Sequence, residues 1–156
     1  MSTSRRLTLQ KGRRLTAGGD VAGPVFVDSG AWLALAHARD GRHEEADRLF
    51  REAAGGPVPL ITSNLVIAEV HRLLLFRAGP RVAGAFLDQI DKSRLLRLVF
   101  VTAAHHAAAR AWLGRLAGEA ITYTDAVSFG VMQAERCRAV LGFDRHFVAA
   151  GFELWR

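Results

Sequence analysis

Cysteine is nearly missing from this chain. Among 156 residues there is one, Cys137, so no intramolecular disulfide can form, and a reducing compartment, the cytoplasm, is the expected setting. Cys137 has no base at a spacing that would activate it and reads as a small buried filler. No apolar run approaches the ~18 residues that a membrane-spanning helix needs. The first 24 residues lack the apolar stretch of a secretory signal. There is no P-loop to cradle a nucleotide phosphate, no internal repeat and no low-complexity tract. Lysine is scarce as well: of 21 basic residues, only Lys11 and Lys92 are lysines. The arginines that remain suit bidentate phosphate contacts, although such usage also arises from compositional bias alone.

Half of the residues are hydrophobic, enough for one compact domain with a real core. The formal net charge of +6 is unevenly placed. In residues 1–24, Arg5, Arg6, Lys11, Arg13 and Arg14 stand against Asp20 alone, and the rest of the chain is only mildly basic. That first stretch has no hydrophobic periodicity and ends in Ala17-Gly18-Gly19-Asp20-Val21-Ala22-Gly23-Pro24. It reads as a flexible basic extension ahead of a single domain over 25–156. Its acid-poor composition leaves a transit peptide, a nucleic-acid-touching arm and translated upstream sequence all open.

The domain is organised around Val25-Phe26-Val27-Asp28-Ser29-Gly30-Ala31. Three large apolar residues predict a short buried strand, and an apolar run at helical spacing follows from Ser29 or Gly30 to about His37. A second helix is expected over about 42–54, stopped by Gly55-Gly56-Pro57. Pro59-Leu60-Ile61 reads as a strand, and Thr62-Ser63 offers an N-cap for a helix over about 64–77, closed by Gly79-Pro80. Another helix covers about 81–92. Leu95 to Val101 is the clearest strand, apolar on both faces apart from Arg97, as a sheet covered on both sides requires. Thr102 caps a helix to about Leu116, and after Thr122-Tyr123-Thr124 a helix is expected from Asp125 to about Arg136. Ala139-Val140-Leu141 reads as a strand, 144–148 as a turn or short helix, and Phe152-Glu153-Leu154 as a last strand. Strands alternating with helices predict a mostly parallel α/β sheet.

In such a sheet ligands gather at the carboxyl ends of the strands, and four acids stand in suggestive places. Asp28 follows the first strand, though an Asp beside a helix start is also a good N-cap. Glu69 shares its helical face with Leu65, Val66 and Leu73, and a buried carboxylate is costly unless it is paired or bound to metal. An ion pair with Arg72 would serve as well. Asp125 sits in a first helical turn, where the helix dipole favours negative charge. Asp144 follows the strand 139–141, where a turn Asp is commonplace. Together, Asp28, Asp125 and Asp144 can meet at one sheet edge with Glu69 reaching in from a helix. Their mutual repulsion would raise their pKa values unless a cation neutralised it, and an all-oxygen set selects Mg²⁺ or Mn²⁺ over zinc.

The histidines offer no rival site: His105 and His106 diverge on a helix, and His37, His43 and His71 follow no ligand spacing. His146, two residues past Asp144, is the one expected near the acids. Phosphotransfer folds also gather acids at a parallel sheet's edge. A receiver domain needs a late lysine, however, and none follows Lys92. A haloacid-dehalogenase-type phosphatase needs Asp-x-Asp, where this chain has Asp28-Ser29-Gly30.

Val25-Phe26-Val27-Asp28-Ser29-Gly30-Ala31, Ser63-Asn64-Leu65-Val66-Ile67-Ala68-Glu69-Val70, Thr124-Asp125-Ala126-Val127-Ser128 and Gly142-Phe143-Asp144-Arg145-His146-Phe147 resemble the four signatures of PIN-domain ribonucleases. In size and pattern the match is with the bacterial VapC-type toxins, over about 25–156; the extension 1–24 departs from the pattern. The resemblance implies a three-layer α/β/α sandwich with a central, mostly parallel sheet. It implies metal-dependent endonucleolytic cleavage of RNA, with Asp28, Glu69, Asp125 and Asp144 as the metal-binding acids and supporting hydroxyls at Ser29 and Thr124. One or two Mg²⁺ or Mn²⁺ ions would activate a water and offset charge on the phosphate. Arg39, Arg42, Arg72 and Arg145 are candidates for RNA phosphate contacts. An antitoxin and a homodimer are implied partners. From the helices over 30–92, a subset of Trp32, Leu33, Leu35, Leu74, Leu75, Phe76 and Phe86 is expected to form an exposed groove for a partner helix. The alternative is a catalytically idle PIN-fold module that binds RNA or protein.

Overall fold

The computed structural model describes residues 23–156. The extension expected over 1–24 therefore lies outside the described residues, apart from Gly23 and Pro24. Twelve elements follow in order: β1 (Val25–Val27), α1 (Ser29–Ala36), α2 (His43–Gly55), β2 (Leu60–Ser63), α3 (Asn64–Ala78), α4 (Pro80–Lys92), β3 (Leu96–Val99), α5 (Ala103–Arg115), α6 (Tyr123–Ala134), β4 (Ala139–Leu141), α7 (His146–Ala149) and β5 (Glu153–Leu154). The five strands form one sheet in the order β3-β2-β1-β4-β5, with every pair parallel. Helices flank it in two groups, α1 to α4 packing among themselves and α5 against α6. This is the parallel α/β sheet that the sequence pattern predicts, in the three-layer α/β/α arrangement that the family resemblance implies.

The middle strands explain themselves. Val25, Phe26 and Val27 in β1 and Ala139, Val140 and Leu141 in β4 are fully buried, as strands covered on both faces must be. Val25 pairs with both Leu60 and Ala139, so β1 is the sheet's axis and its carboxyl end is central. An aromatic cluster lies beneath: Phe129 meets Phe147 edge-on at 5.0 Å and Trp112 at 5.5 Å. On the other side Trp32 packs on Phe50 at 4.8 Å and Phe86 at 5.9 Å.

β3 departs from expectation. It spans four residues and pairs only with β2, so it is an edge strand, and its burial alternates rather than running continuous. Leu95 and Phe100, at its two ends, are 49% and 69% exposed. An edge strand has one neighbour and less cover, so its apolar content overstated its burial. The approach to β1 passes close to another segment: a Cβ on Gly23, at φ +111°, would lie 2.6 Å from the Arg136 carbonyl oxygen, so only glycine fits there.

Two polar ties hold the carboxyl edge in place. The Thr62 hydroxyl donates to the Val27 carbonyl at 2.9 Å, and the Asn64 side-chain oxygen accepts the Val101 N–H at 2.9 Å. Ser63 caps α3 by accepting the Val66 N–H at 3.2 Å, as its position predicts.

Candidate active site at the carboxyl edge of the sheet

An open cleft of about 660 Å³ lies over the carboxyl ends of β1 and β4, and Asp28, Glu69, Asp125 and Asp144 all line it. The four acids are separated by up to 116 positions in the chain, and the parallel topology brings them together. β1 delivers Asp28, and the β4–α7 turn delivers Asp144. The first turn of α6 delivers Asp125, and Glu69 comes from the second turn of α3.

Each acid's local chemistry separates the readings that the sequence left open. Asp28 occupies the N-cap position of α1, yet its side chain makes no capping hydrogen bond. It is 5% exposed and forms no ion pair among the described residues. Burial pushes its carboxyl up to about 7; the Ser29 and Gly30 amides pull against this, while the charges of Asp125 and Glu69 push it further. Glu69 is half-buried and also makes no ion pair among the described residues; Arg72 instead lies over the Phe76 ring, 5.8 Å from its centre. Asp125 has a structural role in addition. Its Oδ2 accepts both the Thr122 N–H and the Thr122 hydroxyl at 2.8 Å, and Thr122 accepts the Asp125 N–H at 3.1 Å, a reciprocal capping box. Asp144 accepts the His146 backbone N–H at 2.8 Å, an Asx-type turn.

Of the other sequence candidates, Ser29 and Arg42 line the cleft, whereas Thr124, Arg39, Arg72 and Arg145 do not. α6 begins two residues before the expected start, so the hydroxyl in the cleft is that of Thr122, while the Thr124 carbonyl accepts from Ser128. Thr122-x-x-Asp125 is itself a capping-box signal that sequence reasoning passed over. Also missed were Asp40, Phe143 and Arg77. Arg77 stands eight positions after Glu69, a spacing that returns to a similar side of the helix. Arg42 lies over the Phe143 ring, 4.6 Å from its centre. His146 is beside the acids, as expected: its Nδ1 is 2.9 Å from Asp144 Oδ1.

The expected partner groove is largely interior. Trp32, Leu74 and Phe86 are buried in the core, and Leu33, Leu35 and Leu75 pack partly against it. Of that set only Phe76 is strongly exposed. Cys137 is buried and its thiol is pushed up to about 12, chiefly by burial, which fits the expected filler. Among the described residues no helix is long and apolar enough to cross a membrane.

The acids fit a divalent cation on their own chemistry. A nearly buried carboxylate with two charged neighbours and no cationic partner is under-neutralised, and oxygen donors suit a hard ion.

The PIN domain family model matches residues 25–153. The 23S rRNA-specific endonuclease VapC20 of Mycobacterium tuberculosis (strains CDC 1551 / Oshkosh and H37Rv) is 39% identical over 128 residues, which cover 82% of this chain and 95% of that protein. The crystal structure of Mycobacterium tuberculosis VapC20, described as a sarcin-ricin loop cleaving toxin, superposes with a TM-score of 0.75 at 38% identity over 82% of this chain and 95% of that one. VapBC2 from Rickettsia felis, crystallised with a promoter DNA fragment, matches with a TM-score of 0.64 at 13% identity, over 85% of this chain and 96% of that one. At that identity it shows the fold alone. The chain belongs to the PIN-domain family, on the side of its VapC-type toxins.

Proposed function

We propose that this chain is a Mg²⁺- or Mn²⁺-dependent endoribonuclease and the toxin of a toxin–antitoxin pair. The observation that carries the proposal is the convergence of Asp28, Glu69, Asp125 and Asp144 on one cleft, with Asp28 buried and without a cationic partner among the described residues. When bound, a divalent cation supplies Lewis acidity to activate water and positive charge to offset that building on the phosphate. Asp28, Glu69, Asp125 and Asp144 would hold it. The capping box fixes Asp125 through Oδ2 and leaves its other oxygen for the cleft. Ser29 and Thr122 add hydroxyls at the rim. Arg42, steadied on Phe143, and Arg77 receive the flanking phosphates and position the strand without reading its sequence.

By its relation to VapC20, the substrate proposed is the large ribosomal RNA, at the sarcin-ricin loop. A cognate antitoxin and a homodimeric state are proposed on the same relation. The test is cleavage of ribosomal RNA by purified chain with Mn²⁺ or Mg²⁺ and with EDTA, beside Asp125→Asn. Metal-dependent cleavage that the variant loses supports the proposal, and mapped ends identify the loop. Cleavage by Asp125→Asn at the wild-type rate, or none by well-folded, antitoxin-free protein, overturns it and favours an idle binding module.

A further inference from the structure

Phe143 is the only aromatic residue among the described residues that line the cleft. It is half-buried, in the turn between β4 and Asp144. A Cβ built on Gly30 would lie 3.8 Å from both the Phe143 ring and Asp28 Oδ2, so ring and carboxylate are close neighbours across a residue with no side chain. Two guanidinium groups converge on this ring, Arg42 at 4.6 Å and Arg156 at 5.3 Å from its centre. Arg156, just after β5, is neutralised by Glu45 of α2 at 2.6 Å. Arg42 is exposed, and its guanidinium makes no ion pair among the described residues. Asp40 Oδ1 accepts the Arg42 backbone N–H at 2.8 Å, which fixes the turn rather than pairing with the guanidinium. Capping the core accounts for the buried part of the ring but not for the two arginines. Like charges drawn to one ring repel, and an incoming anion relieves that. An aromatic ring beside an uncompensated guanidinium matches the two halves of a nucleotide: the ring stacks a base and the guanidinium takes a phosphate.

We propose that Phe143 stacks an unpaired base of the RNA beside the scissile phosphate and that Arg42 holds the phosphate of that nucleotide. Arg156, anchored on Glu45, is a positioning residue that acts through the ring. The proposal rests on the endoribonuclease reading above and deepens it. The strand must present an unstacked nucleotide next to the cut, because a base kept in a duplex cannot reach the ring.

The test uses the full-length chain in Mg²⁺ with two readouts. The first is a single-stranded oligouridine carrying 5-iodouridine, which crosslinks to a stacked aromatic ring under long-wave ultraviolet light; the crosslink is expected on Phe143. The second is the kinetics of ribosomal RNA cleavage. Phe143→Leu should raise KM by about tenfold or more, the size of one lost stacking contact, with far less change in kcat. Phe143→Tyr should keep both the crosslink and the wild-type KM. Arg42→Gln should make the fall of log kcat/KM with log salt shallower by about 0.7, one phosphate contact on a single strand, whereas Phe143→Leu leaves that slope unchanged. Arg156→Ala should raise KM in the wild-type background and add nothing once Phe143 is leucine. A crosslink that misses Phe143, or Phe143→Leu with the KM of wild type, overturns the proposal and leaves the ring a cap on the core. If wild-type cleavage stays metal-dependent in that case, the endoribonuclease reading stands without it. A Phe143 crosslink in protein that cleaves no ribosomal RNA overturns both readings in favour of an idle RNA-binding module, and wild type that neither crosslinks nor cleaves overturns both outright.

Discussion

Asp28→Asn should stabilise the metal-free protein, although it removes a residue of the proposed active site. The wild-type carboxyl is pushed up to about 7 from 3.8, chiefly by burial. A carboxyl raised in the folded state costs nothing below its unfolded pKa; the cost grows as pH rises from about 4 to about 7 and then levels off. At 1.36 kcal/mol per pKa unit, the shift from 3.8 to about 7 costs the folded state about 4 kcal/mol at pH 8 and about 2 kcal/mol at pH 5. Asparagine is a neutral near-isostere and escapes both. Urea unfolding in EDTA should therefore show the variant more stable by about 4 kcal/mol at pH 8, with the gain roughly halved at pH 5. Mn²⁺ at ~100-fold over its dissociation constant should restore about 2.7 kcal/mol to wild type and much less to the variant. A gain under about 1 kcal/mol at pH 8, or one equal at both pH values, would refute an unpaired buried Asp28.

Phe129→Ala should cost about 3–5 kcal/mol, because the ring is fully buried between Phe147 and Trp112; calorimetric unfolding measures it. Arg97→Ala breaks an exposed pair with Glu135 on the edge strand and should cost less than about 1 kcal/mol, with wild-type cleavage retained. Cys137 should resist a thiol reagent at pH 8 in the native protein and react at once in urea, since its thiol is pushed up to about 12. Rapid native labelling would show that the site opens.

The candidate site was legible in outline because its parts announce themselves locally. An acid at the end of a buried apolar triplet, an acid on the core side of a helix and two acids at helix starts or strand ends are each visible within a few residues. The same holds for the Ser63 cap and the Gly79 stop of α3, whose geometry is set by neighbours in the chain. Thr122 was equally local and was overlooked because α6 starts earlier than the apolar run it carries.

The sequence by itself determined the parallel α/β class, the order of the elements and four candidate acids for one sheet edge, since hydrophobic period and caps are written within one or two turns of chain. Only the tertiary structure decided that β3 lies at an edge, that Asp28 is buried without capping α1, and that Arg42 and Arg77, rather than Arg39, Arg72 and Arg145, line the cleft. Those outcomes depend on which strands pair and which helices cover them. Such contacts join residues dozens of positions apart, and no local pattern records them.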